Sequence, residues 1–266
     1  MLTNITIGQY YPAQSIVHSL DPRFKLVSAL AYMILLFLVQ NFWGFIFTAA
    51  CLFIIIKISR VPPIFLLRGL RGIIFILLFT AVLNVFFTAG DTELFKLFFL
   101  RVTLEGLVLA GNMAFRLILL IVGSSLLTLT TSPIELTDAI EYLMKPLKRI
   151  GVPAHEIAMM MTLALRSIPT LMEEMEKIMK AQSARGADFD TGGIIKRAHS
   201  LIPLLVPLFI SSFRRADELA IAMEARCYRG DVNRTRMKAL KLTRLDFSAI
   251  PLMCLYAVGI FALNRV

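Results

Sequence analysis

Residues 26–56 read LVSALAYMILLFLVQNFWGFIFTAACLFIII, 31 positions without one Asp, Glu, Lys or Arg. A helix of that length would be roughly 46 Å long, well beyond the ~30 Å hydrocarbon core of a bilayer. One helix therefore cannot hold it. Gln40-Asn41 and Gly44 interrupt the run and predict a tight turn between two short membrane helices.

Outward from this stretch, hydropathy predicts a third span over Gly72–Ala89, a fourth over Leu107–Leu129 interrupted by Arg116, and a fifth over Phe247–Leu263. The composition agrees: 58% hydrophobic and 17% charged residues, with a mean hydropathy of +0.75, exceed what a soluble chain of this length carries. The expected fold is all-α, a polytopic membrane protein of about five transmembrane helices. Its parts are an N-terminal membrane domain over residues 1–130, a polar helical region over 131–246 and a last membrane helix over 247–266.

The net charge of +10 follows membrane topology, since most basic residues flank apolar runs or fall in the polar region; it does not point to nucleic acid. Arg23 and Lys25 precede the first span, and Lys57, Arg60, Arg68 and Arg71 lie between the second and third, while the Gln40-Asn41 turn carries none. This bias places the N-terminus in the cytoplasm. The loop holding Asp91, Glu93, Lys96, Arg101 and Glu105 then falls outside, and Thr131–Asp246, with 18 of the 28 basic residues, falls inside. Val266 is expected outside. The start of the chain lacks the basic region and cleavage site of a signal peptide, so the first apolar stretch is expected to be retained.

The polar region is too periodic for a loop. Ser132-Pro133 opens a helix over Ile134–Arg149 that Gly151 ends. A second helix runs from about Pro153 to Arg185, with Ile157, Met161, Leu165, Ile168, Met172, Met175 and Met179 three and four apart, and Pro169 is expected to kink it. After a polar turn over Asp188–Gly193, a third helix runs from about Lys196 to Arg229 and stops at Gly230. Its start, Leu201–Phe213, is too short to span a bilayer and too apolar to face water. Two long parallel helices lying under the membrane are the expected arrangement.

These two helices end alike, in Ala184-Arg185-Gly186 and Ala225-Arg226-Cys227. An arginine at a helix C-terminus presents five donors at the tip of a rod, within reach of another subunit's carbonyls or carboxylates. The alternative is that each arginine only caps its own helix.

With Leu20-Asp21-Pro22-Arg23 before the first span, about five membrane helices and the two arginine-tipped helices, the chain resembles, over its whole length, the transmembrane T component of energy-coupling factor transporters. The resemblance implies a coupling scaffold of a modular ATP-binding-cassette importer in a prokaryotic cell membrane. Such a scaffold links two cytoplasmic ATPase subunits to a small substrate-binding membrane S component for uptake of vitamins or other micronutrients. It implies no cofactor in this chain, with ATP and Mg²⁺ held by the ATPases. Arg185 and Arg226 would be the main ATPase contacts, supported by Ala184, Gly186, Ala225 and Cys227. Cys227 departs from the glycine common at that place, and Arg229-Gly230 offers a rival pair; Ala225 before Arg226 favours Arg226. The unequal motifs lean towards two different ATPases.

Met161, Met172, Met175 and Met179 are either core filler or an adaptable surface for the S component. Glu173, Glu174, Glu176, Asp217, Glu218 and Glu224 either pair with Arg214, Arg215 or Lys177 or form a solvated face with pairs inside each helix, the latter being the expectation. Arg116 is expected either to face the bundle interior or to lie nearer the membrane surface than the bounds of the fourth span imply. His18, His155 and His199 are isolated in sequence, and neither they nor Cys51, Cys227 and Cys254 show metal or disulfide spacing. No phosphate-binding loop, H-E-x-x-H motif or nucleophile elbow is present, so no catalytic residue is assigned. A conventional permease with its own pathway is the alternative, and a secondary transporter, which would show interrupted paired repeats, is a further one.

Overall fold

The computed structural model describes residues 10–88, 93–97, 100–187, 189, 193–230 and 242–265. After a single turn, α1 (Ile16–Ser19), the first long helix α2 (Pro22–Leu38) starts on Asp21, whose carboxylate accepts the Arg23 N–H. Pro22 takes the first helical position, where a missing N–H costs nothing. The chain breaks at Gln40-Asn41 as expected and returns as α3 (Phe42–Ser59).

The third span differs from its expected bounds. Pro63 opens a separate helix, α4 (Pro63–Arg71), and α5 (Ile74–Phe87) follows at a bend of 60°. At 14 residues, α5 alone is roughly 21 Å long, so the crossing needs the bent pair. Ala89 lies outside the described residues. Where a plain external loop was expected, β1 (Glu93–Leu97) and β2 (Leu100–Thr103) form an antiparallel hairpin, with Asp91 outside the described residues. Then come α6 (Leu104–Thr130), capped by Thr103, and α7 (Pro133–Met144), which continues as a 3₁₀ segment to Ile150. Ser132 and Glu135 cap α7 reciprocally, and Gly151 at φ 88° ends the segment. Two 31- and 32-residue helices, α8 (Ala154–Ala184) and α9 (Ile194–Ala225), precede α10 (Arg244–Leu263).

By length and composition α3, α6 and α10 can each cross a membrane, and α4 with α5 makes a fourth crossing. At 17 residues α2 sits at the lower limit for a span. Its ends nevertheless coincide with those of α10. At one end the Asp21 N–H donates to Asp246 at 2.8 Å; at the other the Asn264 side chain donates to Leu38 O at 2.7 Å and Asn41 donates to Leu263 O at 3.0 Å. Both helices thus cover the same thickness in the same direction, the arrangement an odd number of crossings requires.

The buried core between these helices is Leu36, Val39, Phe45, Leu52, Leu119, Tyr256 and Ile260. Tyr256 stacks between Tyr32 and Phe47, with both ring centroids 6.0 Å away. Gly123 makes this possible, because a Cβ there would overlap the Tyr32 ring, whose hydroxyl donates to Leu119 O at 3.0 Å. Arg116 faces inward: its guanidinium donates to Val39 O at the end of α2 and lies 5.5 Å from the Phe45 ring. Bonding the last carbonyls of a helix compensates a cation inside the membrane.

The face where α2 begins is closed by a buried polar lock. Lys25, 5% exposed, donates to His18 O and Thr130 O at 2.9 and 3.0 Å. Asp246, 1% exposed, accepts from the Thr243 N–H and hydroxyl besides Asp21. Burial opposes ionisation of Asp21, but the Arg23 hydrogen bonds and charge prevail and hold its carboxyl below the ordinary range.

Contacts divide the chain into two units. One holds α1 to α6, most of α7 and α10; the other begins at Ile140 and holds α8 and α9.

Candidate functional site

The second unit carries both arginine tips, and its helices run antiparallel. Glu174 of α8 accepts from Ser211 of α9 and meets Arg215 at 3.5 Å, a pair between the helices rather than within one. Tyr228, just past α9, reaches back to Met159 near the start of α8. The expectation of parallel helices is therefore corrected: a connection between Ala184 and Ile194 is too short to carry the chain back along a 31-residue helix. Of the polar turn expected over Asp188–Gly193, only Phe189 and Gly193 are among the described residues. Pro169 lies within an uninterrupted α8, and Pro203 and Pro207 lie within α9.

Each helix ends in the same backbone motif. At the end of α8 the Gly186 N–H donates to Ser183 O and the Ala187 N–H to Gln182 O, both at 3.0 Å. At the end of α9 the Cys227 N–H donates to Glu224 O at 2.8 Å and the Tyr228 N–H to Met223 O at 3.0 Å. These are paired 5→2 and 6→1 bonds of the Schellman type, which need a left-handed residue after the cap. Gly186 supplies it at φ 87° and Cys227 at φ 54°. A side chain in that region costs about 1–2 kcal/mol, so the cysteine occupies the glycine's place at some expense. Helix α9 thus ends at Ala225, four residues before the expected Arg229, and Gly230 lies past the turn although its φ of 70° is also positive.

This geometry fixes the register of the two motifs. Arg185 and Arg226 are both cap residues, each preceded by alanine and followed by the left-handed residue. Arg229 has no counterpart at the first tip. Backbone N–H groups satisfy the Gln182 and Ser183 carbonyls at one tip and those of Met223 and Glu224 at the other, so neither arginine side chain is needed to cap them. Both are exposed, and among the described residues neither guanidinium takes a hydrogen bond or an ion pair. Arg185 lies eleven residues beyond Glu174 and Arg226 fifteen beyond Ser211, in opposite directions. The tips are about 40 Å apart if the helices run straight.

The tips differ in their support. The Tyr228 hydroxyl lies 2.9 Å from Met159 Sδ and 3.4 Å from His155 Nε2, and His155 Nδ1 lies 3.0 Å from Glu141. His155, at the start of α8, is therefore part of a link from α7 through α8 to the second tip. Tyr228→Phe removes the hydroxyl while keeping the ring, a loss of about 1 kcal/mol. Amide exchange at Cys227 to Arg229 should rise about fivefold with the Arg185 tip unchanged; equal protection in both proteins would show that the link does not hold the turn.

Met161, Met172, Met175 and Met179 share a face of α8, but only Met161 is exposed; the other three are half-buried. A larger apolar surface lies on α9. From Leu201 to Phe213 the stripe Leu201, Ile202, Leu205, Val206, Phe209, Ile210 and Phe213 is 46–68% exposed, whereas Leu204 is buried. Its one-and-four spacing makes it a continuous helix face, a pattern that marks a surface awaiting a partner or lipid. Apolarity alone revealed the segment in the sequence; its exposure required the structure.

Three helices apolar enough to cross a membrane, with a fourth crossing from the bent pair, define a multi-pass helical membrane protein. The profile of the cobalt transport protein family matches residues 13–238. Curated proteins named energy-coupling factor transporter transmembrane protein EcfT are similar over nearly the full length. The Clostridium kluyveri protein is 58% identical across 100% of this chain and 98% of its own, and that of Thermosediminibacter oceani is 55% identical across 97% of each. The Ruminiclostridium cellulolyticum protein is 56% identical over 92% of each. The chain belongs to this family, the transmembrane T components of energy-coupling factor transporters.

Proposed function

We propose that this chain couples two ATP-binding-cassette ATPases to a small substrate-binding S component for uptake of vitamins or other micronutrients. The observation that carries the reading is the pair of equivalent arginine tips, built on one backbone motif and held at opposite ends of an antiparallel helix pair. Two tips about 40 Å apart suit two separate protein subunits better than one. Each docks with its guanidinium reaching partner carboxylates or carbonyls, flanked by Ala184 and Gly186 or by Ala225 and Cys227. ATP and Mg²⁺ belong to the ATPases. The tips face the cytoplasm of a prokaryotic cell, in agreement with the lysine and arginine bias of the loops.

The exposed stripe of α9 is the surface we assign to the S component; Met161, exposed near the start of α8, lies towards the second tip and apart from that stripe. Met172, Met175 and Met179, half-buried on the stretch of α8 that faces residues 206–213, are then core rather than contact residues. The two tips share a backbone but not their side chains: Ser183, Gly186 and Ala187 at the first are replaced by Glu224, Cys227 and Tyr228 at the second, differences that suit two different ATPases.

Arg226 and Arg229 can be told apart directly. In a reconstituted complex Arg226→Ala should lower ATP-driven substrate uptake at least tenfold, while Arg229→Ala should change it less than about twofold. If Arg229→Ala alone abolishes uptake, the register assigned to the second tip is wrong.

A further inference from the structure

The open pocket where α1 meets the end of α3 has no part in the function proposed above. It encloses about 790 Å³ and is lined by Ala13, Gln14, Ser15, Ile16, His18 and Ser19 on one side and Lys57, Ile58 and Arg60 on the other. No carboxylate lines it. Lys57 and Arg60 are both exposed, and among the described residues neither forms an ion pair; Lys57 Nζ rests 4.9 Å over the Phe53 ring. Arg60 also sits at φ 55°, a left-handed conformation that a long side chain adopts at a cost. The strain turns the chain at the helix end, where the Arg60 N–H donates to Lys57 O, and leaves two cations on one rim.

Depth and surface narrow the ligand. α3 is long and apolar enough to cross the bilayer, and Lys57 is in its last turn, so the pocket lies at the level of lipid phosphates. Leading to it along α3 is an exposed face of Ile46, Phe53, Ile54 and Ile58, with Ile16 of α1 at 58% exposure beside the opening. Acyl chains fit that face, and the exposed Gln14 amide offers a donor to a headgroup, while the Ser15 and Ser19 hydroxyls are engaged with His18 and Ile16 O. His18 serves as a wall, since Ser15 Oγ and Tyr11 O occupy its two ring nitrogens.

We propose that this pocket binds one anionic phospholipid, its phosphodiester held by Lys57 and Arg60 and its chains lying along the exposed face of α3. Attraction of two cations to an anionic headgroup corresponds to roughly a thirtyfold preference over a zwitterionic one. The test is native mass spectrometry of the full-length chain in detergent, titrated with phosphatidylglycerol, phosphatidylcholine or sodium phosphate. The wild-type chain should retain phosphatidylglycerol over phosphatidylcholine by at least tenfold, and millimolar phosphate should not displace it. Lys57→Gln combined with Arg60→Gly should remove the preference. Glycine suits the φ of residue 60, so this variant keeps the turn, and an unchanged Tm verifies it. Lys177→Gln with Lys180→Gln, an equal loss of charge on α8, should retain the preference. Equal retention of both lipids by the wild type, an undiminished preference in the pocket variant, loss of preference in the α8 variant, or displacement by free phosphate would each overturn the proposal.

Discussion

Arg185→Glu combined with Arg226→Glu is expected to leave a folded membrane protein that no longer retains the proposed ATPase subunits. Removing a desolvated, hydrogen-bonded arginine at an interface costs about 2–5 kcal/mol, and reversing its charge adds repulsion from any partner carboxylate. Two such losses in one assembly take retention below detection in a detergent pull-down. The fold should be spared, because both side chains are exposed and the carbonyls at each helix end are satisfied by backbone N–H groups. Tm in detergent should therefore stay within a degree or two of the wild type. Undiminished retention would refute the assignment of the tips; a large fall in Tm would mean that the arginines hold their own helices.

Asp246→Ala is expected to do the reverse. This carboxylate is 1% exposed and accepts from the Asp21 N–H, the Thr243 N–H and the Thr243 hydroxyl. Its loss removes the cap of α10 and orphans the buried Asp21 N–H, together on the order of 2–4 kcal/mol. Tm should fall by roughly 5–15 °C. Asp246→Asn keeps one acceptor oxygen and should lose about half as much. A Tm unchanged in Asp246→Ala would show that the lock between α2 and α10 contributes little. At temperatures where the variant is still folded, both arginine tips should bind as in the wild type, since Asp246 belongs to the other structural unit.

The two results divide as the sequence itself does. Membrane helices were legible because a bilayer demands long uncharged runs, and 26–56 has no other solution than two helices and a turn. Arg116 was legible for the same reason: a lone cation in an apolar run must find acceptors inside. The direction of α9 was also available, since the nine residues between Ala184 and Ile194 cannot return a chain the length of α8. By contrast, the lock between Asp21 and Asp246 joins residues 225 apart and leaves no local trace. Cys227 was ambiguous because cysteine rarely takes a left-handed backbone; only the paired N–H bonds identify it as the counterpart of Gly186. The link from Tyr228 to His155 and Met159 was hidden for the same reason, since no periodicity connects a turn to the start of a preceding helix.

Affinity purification of the tagged wild-type chain from its native membrane, followed by identification of every co-purifying protein, tests the coupling role most directly. The expected result is two ATP-binding-cassette ATPase chains and one small membrane protein, with ATP-driven uptake only when all are reconstituted together. Substrate transport by this chain alone, without ATPases, would contradict it.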